Sequence, residues 1–182
     1  MNSIDLLLTR QSNGQLTSPP PDNTTLDAIL KAGMRVPDHG NLSPWHFTIV
    51  AGHGLTTLSE IFKQAANNAN FSEEKIIKAG KMPLRAPLII IISTKLEEHP
   101  KVPKQEQIIT AGACVHAMQM AAFALGFGAM WRTGDFAYNN DVKQLLSISK
   151  EDEIVGFLYI GTPAKQLPQK QIKNYNNFVS YL

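Results

Sequence analysis

Three short stretches hold the residues whose types and spacing can do chemistry. Arg10-Gln11-Ser12 sets a guanidinium, an amide and a hydroxyl in a row. Such a row suits an anion, because arginine gives a phosphate charge-assisted hydrogen bonds and serine a neutral one. Arg10 can equally complement the negative C-terminal end of a helix, and the local sequence leaves both readings open. The second stretch, Arg35 to His46 (RVPDHGNLSPWH), combines cations with dense turn formers. The third, Trp131-Arg132-Thr133-Gly134, follows directly on an expected strand.

Residues that catalyse unaided are missing. Cys114 lies in an apolar run, where a thiol is expected buried and inert. His39, His46, His53, His99 and His116 show no metal-ligand spacing, and His116 is expected in the core or at an interface. No nucleophile elbow or Walker motif occurs. Gly126-Phe127-Gly128 follows a helix, whereas a dinucleotide-binding turn follows a strand. The carboxylate pairs Glu73/Glu74, Glu97/Glu98 and Glu151/Asp152 are adjacent in sequence and point apart, as solvated surface does. A chain of this kind can still catalyse if a cofactor brings the reactivity.

An alternation of elements must position these stretches. Residues 2 to 10 read as a helix, with Ile4, Leu7 and Leu8 on one face and Ser3 as its cap. Thr24 and Thr25 precede a second helix, with Leu26, Ile29, Leu30 and Met34 at helical spacing and Pro37 as its stop. Strands are expected at His46 to Ala51, Leu88 to Ile92, Ala129 to Thr133 and Ile154 to Ile160. The unbroken aliphatic run from Leu88 marks a strand covered on both faces. One or two polar helices fill residues 55 to 82, and a long apolar helix fills 104 to 125, with Gly126 as its C-terminal cap. Asp141 to Leu146 is a further short helix. Phe178 to Leu182 alternates like a strand but has no neighbour in sequence to pair with. The order implies an α/β sandwich on a mixed sheet, in a single domain over residues 1 to 182.

Composition narrows the classes. Hydrophobic residues make up 43% and charged residues 18%, which reads as globular and excludes a disordered tail protein. The net charge of +2 comes without any basic cluster, so nucleic acid is not indicated. A lone cysteine allows no internal disulfide and fits a reducing compartment; with no cleavable apolar core around Asp5, a cytoplasmic location is expected. Gln107 to Trp131 contains no Asp, Glu, Lys or Arg. Polar residues and glycines interrupt it and no basic flank adjoins it, so a buried helix and strand are expected there and not a membrane span.

At the three stretches the sequence resembles the nitroreductase family, and most closely its short subgroup. The family's N-terminal Arg-x-Ser reads Arg10-Gln11-Ser12 here. Its proline-to-phenylalanine block reads Pro37 to Phe47 (PDHGNLSPWHF), and its Gly-[Leu/Phe]-Gly-x-x-Trp reads Gly126 to Trp131 (GFGAMW). Likeness continues through Gly156 to Pro163 (GFLYIGTP) and, for the subgroup, through Lys101-Val102-Pro103 and the Phe178-Val179 tail.

The resemblance implies an α+β fold working as a homodimer, with FMN at the interface; the apolar terminal strand without a local partner, and cofactor contacts split between two segments, suggest a C-terminal tail exchanged between subunits. Arg10, Gln11 and Ser12 would hold the phosphate end; a buried phosphate needs compensating cations, which Arg10, Arg35 and one of Lys165, Lys170 or Lys173 could supply. Arg35 and His39 would reach in from the other subunit, and Trp131, Arg132 and Thr133 would lie along the flavin ring. Ala121, Ala122, Phe123, Ala124, Leu125 and Gly126 match the segment assigned to the nicotinamide nucleotide. The implied activity is ping-pong transfer of electrons from NADH or NADPH through FMN to a nitroaromatic, quinone or similar small-molecule acceptor. No metal or protein acid or base is implied. Other flavin chemistry on the same scaffold, a dehydrogenase or oxidase, stays open, as does a non-catalytic FMN-binding module. Members often carry Lys or Arg two residues beyond the serine. Gly14 stands there in this chain, which leaves Arg132 as the candidate cation for the reduced ring.

Overall fold

A computed structural model describes residues 2 to 182. The aliphatic run forms β3 (Leu88–Thr94), seven consecutive buried residues. Its side chains alternate: Ile89 and Ile91 enter a core on one face, Leu88, Ile90 and Ile92 a core on the other. β5 (Ile154–Pro163) repeats the pattern, with Phe157 and Tyr159 on the first face and Leu158 and Ile160 on the second. Full burial of each such side chain stabilises by about 1.5–3 kcal/mol, so these two strands fix the middle of the sheet.

β2 (Trp45–Ala51) pairs with β3, and β3 with β5. β4 (Gly128–Arg132) and the two-residue β1 (Leu16–Thr17) both pair with β5. Each of these pairings is antiparallel. The parallel pairing that a mixed sheet requires would have to come from outside these five strands.

Helices cover both faces, as in a sandwich. α3 (His53–Asn68), α4 (Glu73–Lys81) and α6 (Asn140–Leu145) close the first core through Leu58, Phe62, Ala79 and Val142. There Phe62 stacks on Phe136 at 4.4 Å between ring centres. α2 (Asn23–Gly33) and α5 (Lys104–Ala124) close the second through Ile29, Ala111, Val115 and Met118. α5 is long and apolar enough to cross a membrane by length and composition, but half of that stretch is buried within the fold. It stops where expected: Gly126 adopts φ +85°, Phe127 N–H reaches the Ala122 carbonyl and Gly126 N–H the Phe123 carbonyl.

Several boundaries differ from the sequence reading. α1 (Ser3–Thr9) is capped by Asn2, which accepts from Asp5 N–H at 2.8 Å, and not by Ser3. Asp22 caps α2, so Thr24 and Thr25 lie inside its first turn. α2 ends at Gly33, ahead of Pro37, where the absent side chain lets α5 approach; a Cβ there would meet Met118 Cγ at 2.9 Å. His116 is exposed and not a core residue. The tail makes no strand within the chain: it carries one 3-10 turn, Asn176–Phe178, and is exposed from end to end. An alternating pattern fixes a strand only when another strand is there to pair with it.

Candidate functional site

Segment 10–14 leaves α1 and lies against β4. Asn13 N–H donates to the Ala129 carbonyl at 2.9 Å. Gln119, a buried amide on α5, donates to Ser12 Oγ at 3.1 Å and to the same carbonyl at 3.2 Å. The chain after β5 folds back over this segment: Asn13 Nδ2 donates to the Lys165 carbonyl at 3.0 Å, and Gln11 Nε2 to the Leu167 carbonyl at 3.2 Å.

These bonds fix the backbone and leave specific side-chain atoms unengaged. Arg10 Nη1, Gln11 Oε1 and Arg132 Nε are buried without a hydrogen-bond partner, and they are the only such side-chain atoms among the described residues. Buried polar groups are normally satisfied, so three orphans within two adjacent segments mark a place built for something else. The helix-end role for Arg10 does not satisfy Nη1, although its N–H does close α1 on the Leu6 carbonyl at 3.0 Å.

Three cavities surround these atoms. The first, about 250 Å³, is lined by Arg10, Gln11 and Ser12 together with Lys170. Of Lys165, Lys170 and Lys173, Lys170 is the one that lines this cavity. The second, about 300 Å³, joins Gln11 and Asn13 to Phe123 and Gly126 at the end of α5. The third, about 420 Å³, takes in Arg132 and Thr133 with Phe136, Phe157 and Tyr159. The first presents Arg10, Ser12 and Lys170, groups that suit an anion, and aromatic side chains wall much of the third.

The remaining candidates divide. The Trp131 indole N–H donates to the Val155 carbonyl at 3.2 Å, and its ring lies so close to Gly156 that no Cβ would fit. Its side chain is thus a packing element, leaving Arg132 and Thr133 to face the cavity. Of the segment 121–126, Ala122 is wholly buried in the second core, whereas Ala124, Leu125 and Gly126 are exposed. Arg35 and His39 are exposed and line none of the three cavities; His39 Nδ1 sits 2.7 Å from Glu106 Oε2. One chain therefore brings together the Arg10 and Arg132 groups but not these two.

Burial pushes the Cys114 thiol up to about 12, with the negative charge of Asp38 adding to the effect. It is no nucleophile, as its apolar setting foretold. Gln119, Asn13 and Arg85 went unremarked as site residues in the sequence. Gln119 carried a signal, being one of only two glutamines, with Gln107, that α5 buries. Gln107 proves structural, its amide gripping Glu97 and the Val102 carbonyl.

Fold and site together define the class: residues 7–162 match the model of the nitroreductase family, and the chain belongs to that family. Among individual proteins, it is 42% identical to "Putative NAD(P)H nitroreductase YdjA" of Escherichia coli (strain K12), over 182 residues and the whole of both chains. It is 33% identical to a "Putative NAD(P)H nitroreductase" of Haemophilus influenzae, again over 100% of each. In fold it is similar to a nitroreductase-like family protein from Bacillus cereus, with a TM-score of 0.86 at 22% identity, covering 100% of this chain and 96% of that one. It is also similar to a nitroreductase with bound FMN from Bacteroides fragilis, with a TM-score of 0.76 at 20% identity and both chains covered in full.

Proposed function

We propose that this protein is an oxidoreductase that carries FMN at the interface of a homodimer and draws electrons from NADH or NADPH. One observation carries the reading: Arg10 Nη1 is buried without an acceptor beside Gln11, Ser12 and Lys170. An unmet buried hydrogen-bonding group costs about 1–3 kcal/mol, and more when charged. An anion at that point turns the cost into a charge-assisted bond, and the terminal phosphate of FMN is such an anion. The bound FMN of the Bacteroides fragilis relative and the NAD(P)H nitroreductase names of the sequence relatives support the same cofactor and donor.

On this reading Arg10, Ser12 and Lys170 hold the phosphate, and Gln11 Oε1 accepts from the ligand. Arg132 and Thr133 border the ring, with Trp131 holding that strand in place. Arg35 and His39 of the partner subunit complete the site, which accounts for their lying outside it in one chain. The exposed end of α5, Ala124 to Gly126, faces the nucleotide, while Ala122, wholly buried, stays in the core. FMN supplies the chemistry when bound, taking hydride from NADH or NADPH and passing electrons to a nitroaromatic, quinone or similar acceptor in alternating half-reactions.

The test is direct. The purified protein should be yellow or take up added FMN one per chain, and anaerobic NADH or NADPH should bleach it. A protein indifferent to FMN, or a bound flavin that neither nucleotide reduces, ends this reading.

A further inference from the structure

Gln119 has no role in the function proposed above, yet its buried amide reaches the segment that lines the first cavity. Its Nε2 donates both of its hydrogens, one to Ser12 Oγ at 3.1 Å and one to the Ala129 carbonyl at 3.2 Å. That carbonyl fixes which way the amide points. A carbonyl oxygen only accepts, so the amide nitrogen has to face it; turned over, Gln119 would set oxygen against oxygen. The same carbonyl also accepts the Asn13 N–H at 2.9 Å, so both of its lone pairs are taken. Ser12 Oγ therefore meets a donor whose orientation is fixed, beside a carbonyl already saturated. Its oxygen accepts from the amide, and its own proton is left to point elsewhere. No group among the described residues accepts that proton. Ser12 lines the same cavity as Arg10 and Lys170.

We infer that Gln119 is a positioning residue: by donating to Ser12 Oγ it holds the hydroxyl as a donor toward the bound anion. The inference rests on the function proposed above, in which that anion is the FMN phosphate. A phosphate presents acceptor oxygens, so a hydroxyl already held as a donor has no rotation to lose on binding it. Gln119 thus favours phosphorylated over unphosphorylated flavin through Ser12, without touching either itself.

Gln119→Met in the full-length protein is the test, since methionine fills similar space but cannot donate. With the amide gone, the Ala129 carbonyl loses a donor and the Ser12 hydroxyl is free to turn toward it. FMN, followed by quenching of its fluorescence, should bind about tenfold more weakly. Riboflavin, which lacks the phosphate, should bind as it does to the parent. In a Ser12→Ala background Gln119→Met should change FMN affinity no further, because it acts only through that hydroxyl. Ser12→Thr, which keeps a hydroxyl, should retain the preference for FMN over riboflavin that Ser12→Ala loses. Gln119→Leu carries the same comparison if the methionine variant does not fold. A packing role for Gln119 predicts otherwise: equal losses for FMN and riboflavin, persisting without the hydroxyl. That pattern, or FMN affinity unmoved by the loss of the amide, overturns the inference and leaves the functional proposal standing. A parent protein that takes up no FMN sinks both together.

Discussion

On the proposed reading, Arg10 is the residue on which anion binding turns. A hydrogen bond to a charged group contributes about 1.5–3 kcal/mol, and each 1.4 kcal/mol is about tenfold in affinity. Arg10→Ala should therefore weaken FMN by about one to two decades, measured by quenching of flavin fluorescence. The same change removes a buried, partnerless group from the flavin-free protein, so its urea midpoint should not fall. Lost stability with unchanged flavin affinity would make Arg10 a structural residue. Cys114 makes a second prediction. Its folded thiol holds its proton to about 12, against an ordinary 9.0. Between those values the unfolded chain binds fewer protons than the native one, so stability falls as pH rises through that window. Urea midpoints at pH 8 and pH 10 should drop less for Cys114→Ala than for the parent, and iodoacetamide should spare the folded thiol.

β4 and β5 show what packing adds to a legible pattern. The central strands and α5 could be read from composition because unbroken apolar runs have few alternatives. Cap positions slipped by one or two residues because Asn2 and Asp22 cap as well as the neighbouring Ser3 and Thr24. β1 was invisible: two residues carry no period, and only their pairing with Thr162 and Pro163 makes them a strand. The site divided along the same line. Arg10 to Ser12 and Trp131 to Thr133 stood out as motifs, whereas Gln119 and Arg85 gain meaning only when α5 and the turn before β3 are folded against them. Gly156 tests this scale. A methyl there would fall within 2.1 Å of Trp131 Nε1. Gly156→Ala should displace the indole, break its bond to the Val155 carbonyl and cost about 1–3 kcal/mol. An unchanged tryptophan near-ultraviolet dichroism and melting temperature would show that the strand yields without cost.

The molecule as a whole leaves too much apolar surface uncovered for one chain alone. No residue of α1 is buried, and Ile4, Leu7 and Leu8 are each more than half exposed. A seven-residue helix has no stability of its own in water. Ile109 on α5 is 62% exposed, and Phe178 and Tyr181 in the tail are 78% and 91% exposed. Exposed large apolar side chains on three separate elements suit an association surface. The proposed isologous dimer would answer all three features at once: the helices would cover each other, and each tail would lie on the partner, where its alternating pattern would find a strand to pair with. On the proposed reading Arg35 and His39 enter the partner's site, so dimer and cofactor should stand or fall together. Deleting residues 174–182 is the test. Sedimentation should show weakened self-association, with FMN lost over the same protein concentrations, while the sheet signal in far-ultraviolet dichroism survives, since β1 to β5 all precede the cut. A truncated monomer that stays yellow would separate the two properties and place the complete flavin site within a single chain.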